Sequence, residues 1–172
     1  MDPLDLLNLA LDAARRAGAD AADALVAERS SLTVGWRLGA LEDLERKEAT
    51  ELGVRVLVGQ RVATAATNRL ERAELERMVE DAVAAARLLP EDPWAGLARA
   101  DQVARRWPEL DLADAVEPSV EALMAAAAAA EDAARAVPGV TNSDGANASW
   151  SRGRVTLAAT NGFTGSYRRT RH

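Results

Sequence analysis

The 172-residue sequence carries 21 basic and 27 acidic side chains, a formal net charge of −6, and no cysteine. The missing thiols exclude disulfides, thiolate metal sites and cysteine nucleophiles, and no apolar run approaches the roughly 20 residues that a membrane-spanning helix needs. Hydrophobic residues make up 48 % but aromatic ones only 3 %, so a core has to be built from alanine, leucine and valine on closely approaching elements.

In chain order, Asp2-Pro3 reads as a helix start, because aspartate caps and proline is preorganised at the first helical position. Leu4, Leu7, Leu11 and Ala14 follow at helical spacing, and Gly18 is the stop. The acidic start lacks the basic region of a secretory signal, so a cytoplasmic location is expected. Residues 22–29 and 32–38 read as strands joined through Ser30-Ser31, and residues 41–48 as a strand with a charged face. Leu52, Val54, Val56 and Val58 alternate, Val58 to Arg61 turns, and residues 62–67 return. A helix of about 18 residues follows, with Leu75, Met78, Val79, Ala82, Val83 and Ala86 on one face; Asn68 and Glu71 have the spacing of a capping pair.

From Leu89 the texture changes. Pro90, Pro93 and Pro108, with Trp94 and Trp107, mark an irregular segment over 89–116, longer than ordinary connections; both tryptophans are expected to anchor it. Pro118-Ser119 starts a second long helix over 119–137, which the alanine run 125–130 favours. Pro138-Gly139 ends it. The stretch 139–167 then reads as a strand meander, with turns expected at Arg152-Gly153 and at Asn161-Gly162, where φ > 0 is needed. Its outer edge is expected to be open to peptide or partner backbone. The class is therefore α+β, antiparallel meanders packed with long helices. A helix-plus-meander unit occurs twice, which fits an architectural duplication, with sub-units of about 1–88 and 117–172.

The charge is uneven. Residues 1–138 carry 16 basic against 26 acidic side chains, whereas 139–172 carry Arg152, Arg154, Arg168, Arg169 and Arg171 against Asp144. One reading is a solvated sheet face; the other is a contact surface for an acidic protein or nucleic acid. Aromatic stacking platforms are poorly spaced there, which disfavours nucleic acid. No catalytic constellation emerges. The one histidine, His172, is the last residue, so neither a His-Glu-x-x-His helix nor a serine triad has its base. Glu91/Asp92 and Glu131/Asp132 are neighbours that diverge on a helix, and no phosphate-loop pattern is present. Neither catalytic nor metal-binding residues are expected in this chain.

Several stretches together resemble the TldD/PmbA family, in the family's order. They are Glu51 to Gly59 (ELGVRVLVG), Pro90 to Leu97 (PEDPWAGL), Ala130 to Ala134, Val137 to Val140, and Ala158 to Phe163 (AATNGF). The second and the last three look like the PmbA (TldE) branch. The resemblance implies a single N-terminal-type domain over 1–172, with the family's C-terminal domain absent. It also implies a non-catalytic subunit of a metalloprotease assembly, elsewhere named modulator of DNA gyrase, that acts on unfolded peptides. No cofactor is expected in this chain, and zinc only in a TldD-like partner. Trp94, Asn161, Phe163 and Tyr167 are the candidate partner or peptide contacts.

Overall fold

The computed structural model describes residues 2–172. Three helices, α1 (Pro3–Ala17), α2 (Arg72–Leu88) and α3 (Val120–Arg135), accompany five strands: β1 (Ala21–Arg37), β2 (Ala40–Val58), β3 (Arg61–Thr67), β4 (Ala146–Ala159) and β5 (Thr164–Arg171). The strands form one sheet in the order β3-β2-β1-β4-β5. This is the expected antiparallel α+β class.

The strands are fewer and longer than the sequence pattern suggests. Ser30-Ser31 is no turn: β1 runs straight through it, and serine pairs in extended backbone without strain. Residues 41–48 are strand, as expected, but continuous with 52–58. The first half thus has three strands where about five were expected. Arg152-Gly153 is also mid-strand, because Gly153 does not take up the positive φ that a tight turn would need. The true turns are where φ is positive, at Leu38 (50°) and Gly39 (80°), at Gly59, and at Gly162. The Asn68–Glu71 capping pair does not form. Glu71 itself is the N-cap of α2 and makes no side-chain cap bond.

Two compact units share the chain, and neither is a continuous stretch of sequence. The first takes the chain up to Glu28, Ala49–Leu110 and Arg154–Tyr167; the second takes Arg29–Glu48, Asp111–Gly153 and Arg168–His172.

In the first unit, α1 begins as its sequence dictates: the Leu4 N–H donates to Asp2 Oδ1 at 2.8 Å. It ends in a Schellman motif, with Gly18 at φ 89° and the Ala19 N–H reaching back to Ala14 O at 2.9 Å. Leu6, Leu7, Leu9, Ala10 and Leu11 of α1 share one core with Leu75, Val79 and Val83 of α2 and with Val26, Leu52, Val54 and Val56 of the sheet. Each fully buried leucine or valine side chain contributes about 1.5–3 kcal/mol. Arg87 Nη2 donates to Ala17 O at 2.7 Å, satisfying a carbonyl at the end of α1.

The second unit has its own, smaller core of Leu32, Val34, Leu123 and Trp150. Helix α3 is capped by Ser119, whose Oγ accepts from the Ala122 N–H at 3.1 Å. Its buried Glu131, only 1 % exposed, reaches the turn between β1 and β2. Glu131 Oε1 accepts the Leu38 N–H at 2.8 Å and Oε2 the Gly39 N–H at 3.2 Å. The Leu38 N–H, then the Ser143 hydroxyl, hold this carboxyl below the usual carboxylate range; burial pushes the other way, and the Gly39 N–H and Arg135 add to the lowering. A leucine at positive φ is strained, and the carboxylate is what fixes that turn. Gly145 closes the same unit at φ 97°, where a Cβ would sit 2.9 Å from Trp36 O.

Candidate functional site

The irregular segment is ordered by discrete tethers. The Asp92 N–H donates to Gln60 O at 2.7 Å, and Asp92 Oδ1 accepts the Trp94 N–H at 2.9 Å in an Asx turn. Glu91 pairs with Arg61 at 3.1 Å. Further on, Thr170 of β5 donates its N–H to Leu112 O at 2.9 Å and accepts the Asp114 N–H on its hydroxyl at 3.0 Å. His172 Nε2 lies 2.7 Å from Asp114 Oδ2. That contact, with the Thr170 hydroxyl, lowers the Asp114 carboxyl from its ordinary value.

A concavity lies in the first unit, where this segment meets the turn between β4 and β5. It encloses about 450 Å³ and is lined by Ala100, Val103, Ala104, Arg105 and Trp107 on one side and Asn161 to Thr164 on the other. The turn is built by Asn161-Gly162. Gly162 takes φ 88°, and Asn161 Oδ1 accepts the Phe163 N–H at 3.1 Å. The other end of the same side chain donates from Nδ2 to Ala98 O at 2.9 Å, fastening the segment to the turn. Phe163 then packs on Trp107, ring centroids 6.3 Å apart and tilted by 52°. Gly165 leaves room for this pair, since a Cβ there would lie 2.9 Å from the Phe163 ring. The result is an aromatic shelf with Arg105 at its rim. It can hold an apolar side chain and offer one cation; it has no acid–base pair.

Of the four candidate contacts, Asn161 and Phe163 meet at this shelf. Trp94 and Tyr167 do not line it. Trp94 is 91 % exposed, so it does not anchor the segment as expected; the Asx turn holds its backbone and leaves the indole outside. Trp107, 54 % exposed, is held through Phe163. Arg105 was not singled out in the sequence, because nothing local distinguishes it from Arg106. The arginine-rich end is also divided. Arg152 lies over the Trp150 ring at 5.1 Å and Arg154 faces Glu28 at 3.8 Å. Arg168, Arg169 and Arg171 are exposed and make no ion pair among the described residues.

The tether is testable. Asn161→Ala removes both bonds and should cost about 1–2 kcal/mol, from two ordinary hydrogen bonds. Asn161→Asp keeps the acceptor for Phe163 but cannot donate to Ala98. Both variants should speed tryptic cleavage at Arg99, Arg105 and Arg106; an unchanged rate would mean that the aromatic contact alone holds the segment.

Two family models match the chain: the PmbA/TldA metallopeptidase domain 1 over residues 22–86 and the PmbA/TldA metallopeptidase central domain over residues 112–172. The chain belongs to the PmbA/TldD family. Asn161, Phe163 and Tyr167 fall within the central-domain match, while Trp94 lies between the two matches. The Metalloprotease PmbA homolog of Haemophilus influenzae is 32 % identical over 167 residues, covering 96 % of this chain. The chain spans 37 % of the length of that relative. A crystal structure of a candidate modulator of DNA gyrase from Bacteroides thetaiotaomicron is similar at a TM-score of 0.82 and 25 % identity, covering 97 % of this chain and 38 % of its own. The fold is also that of TldE from Thermococcus kodakarensis, at a TM-score of 0.78, 14 % identity, and coverage of 93 % and 36 %.

The two matched stretches leave residues 87–111, most of the irregular segment, between them. No helix among the described residues is long and apolar enough to cross a membrane. No three histidine, cysteine or carboxylate side chains converge as a metal site among the described residues.

Proposed function

We propose that this chain is the first and central part of a non-catalytic, PmbA/TldE-like subunit in a TldD/TldE-type metalloprotease assembly that acts on unfolded peptides. The observation that carries this reading is the pair of family-domain matches, in order, over 22–86 and 112–172. The similarity to a PmbA-named relative over 96 % of this chain supports the PmbA/TldE-like part. In this reading zinc belongs to a TldD-like partner, where it would activate the attacking water, and this chain contributes binding surface. The Trp107–Phe163 shelf suits an apolar side chain of an extended peptide, and Arg105 suits a neighbouring carboxylate.

The test is reconstitution. The protein containing this chain and a zinc-bearing family member should co-elute at micromolar concentration and together cleave an unfolded polypeptide. Neither should do so alone. Absence of a complex would reject the subunit role, and zinc-dependent cleavage by this protein alone would reject its non-catalytic status.

A further inference from the structure

Strand β2 is 19 residues long, but β3 covers only part of it. The β2–β3 register begins at Leu52↔Thr67 and ends at Val58↔Arg61. The other neighbour of β2 is β1. Residues Ala40 to Glu51 therefore have a strand on one side and, among the described residues, none on the other. Ala40 to Ala49 are exposed along their whole length. This edge has twelve residues, no proline, no glycine and no positive φ. Its start is clamped by the Glu131 carboxylate at the Leu38-Gly39 turn. A preordered row of N–H and C=O groups, unpaired on one side among the described residues, is a template for strand addition.

Charge says which strand. The edge carries Glu42, Asp43, Glu45, Glu48 and Glu51 against Arg46 and Lys47, a net charge of −3. Both cations are already engaged: Arg46 with Glu117 and Glu48, and Lys47 with Glu45 at 2.7 Å. Asp43 and Glu51 make no ion pair among the described residues. An acidic edge repels a second copy of itself, which is how natural edges avoid self-pairing. The same charge attracts a basic guest. Leu41 and Leu44, both exposed, lie at positions of opposite parity and give such a guest an apolar contact on each face.

We infer that the β2 edge, residues 40–51, docks an extended arginine- or lysine-bearing segment of a partner polypeptide by strand addition. This does not depend on the assembly proposed above, since it needs only the backbone edge and its charge.

The probe is a synthetic peptide of about ten residues, a usual upper strand length, alternating arginine with threonine and valine. Amide exchange at alternate residues of 40–51 should slow by about tenfold or more at saturation. Binding should weaken as salt rises through the range where screening sets in. Two controls separate strand addition from plain charge attraction. A backbone N-methylated version of the peptide keeps the charges and should lose the protection. The double variant Asp43→Lys/Glu51→Lys keeps the fold, both sites being at the surface, and should bind at least about tenfold more weakly, one decade per 1.4 kcal/mol. Equal binding of the N-methylated peptide, protection on β5 in place of β2, protection of 40–51 by self-association without peptide, or no binding at millimolar concentration would each overturn the inference.

Discussion

Trp150→Ala should destabilise the protein by about 3–5 kcal/mol, the range for emptying a buried tryptophan site. Trp150 is 1 % exposed and is the largest fully buried side chain among the described residues. It packs with Leu32, Val34 and Leu123, with Val120, Met124 and Ala148 at the margin. No other large residue in that small cluster can refill the space. Its Nε1 has no hydrogen-bond partner, so the loss reports packing and not a broken hydrogen bond. Trp150→Phe should therefore retain more than half of the stability that the alanine variant loses. The stacking of Arg152 adds about 0.5–1 kcal/mol that both variants reduce. Urea unfolding followed by far-ultraviolet circular dichroism avoids the lost fluorophore, and a midpoint shift of about 1–3 M is expected. A loss below about 1 kcal/mol would mean that the second core is not what holds α3 to its strands.

Glu131→Gln should remove much of the acid sensitivity of folding. The folded Glu131 carboxyl lies below its ordinary value because the Leu38 N–H and the Ser143 hydroxyl bind its charged form. A lowered folded pKa stabilises the protein above the unfolded carboxylate value, about 4.3. That stability is lost as pH falls through the folded value. The glutamine variant is neutral throughout, so it should be less stable than the parent at neutral pH, with the gap closing as pH falls through the lowered folded value. Some acid slope should remain, because Asp114 is also lowered by His172 and Thr170. Urea midpoints measured across this range decide the matter. Parallel curves for parent and variant would remove Glu131 from the acid transition. Glu131→Ala leaves two turn N–H groups unpartnered as well, and should unfold more readily than the glutamine variant at every pH.

Much of this molecule is legible in its residues. Asp2-Pro3 and Gly18 bound α1 because their caps are local. The leucine and alanine stripes place α1, α2 and α3 because helical period is local, and Asn161-Gly162 turns because only its φ is at issue. Ordered motifs carried family membership for the same reason. What local pattern misjudged was continuity. Ser30-Ser31 and Arg152-Gly153 look like breaks, yet β1 and β4 run through them.

The site divides in the same way. Asn161 and Phe163 announce themselves, while their partners Ala98 and Trp107 lie more than fifty residues earlier and are joined only by tertiary packing. Glu131 was read as half of an idle carboxylate pair; the fold makes it the clamp on a turn some ninety residues away. The open edge of β2 was likewise invisible, because alternation marks a strand but not its neighbours. By itself the sequence determined the ends of α1, the Asn161-Gly162 turn, class and family, since each depends on neighbours along the chain. Which strand ends uncovered, which carboxylate is buried and which aromatics meet were decided by the tertiary structure, since those depend on neighbours across it.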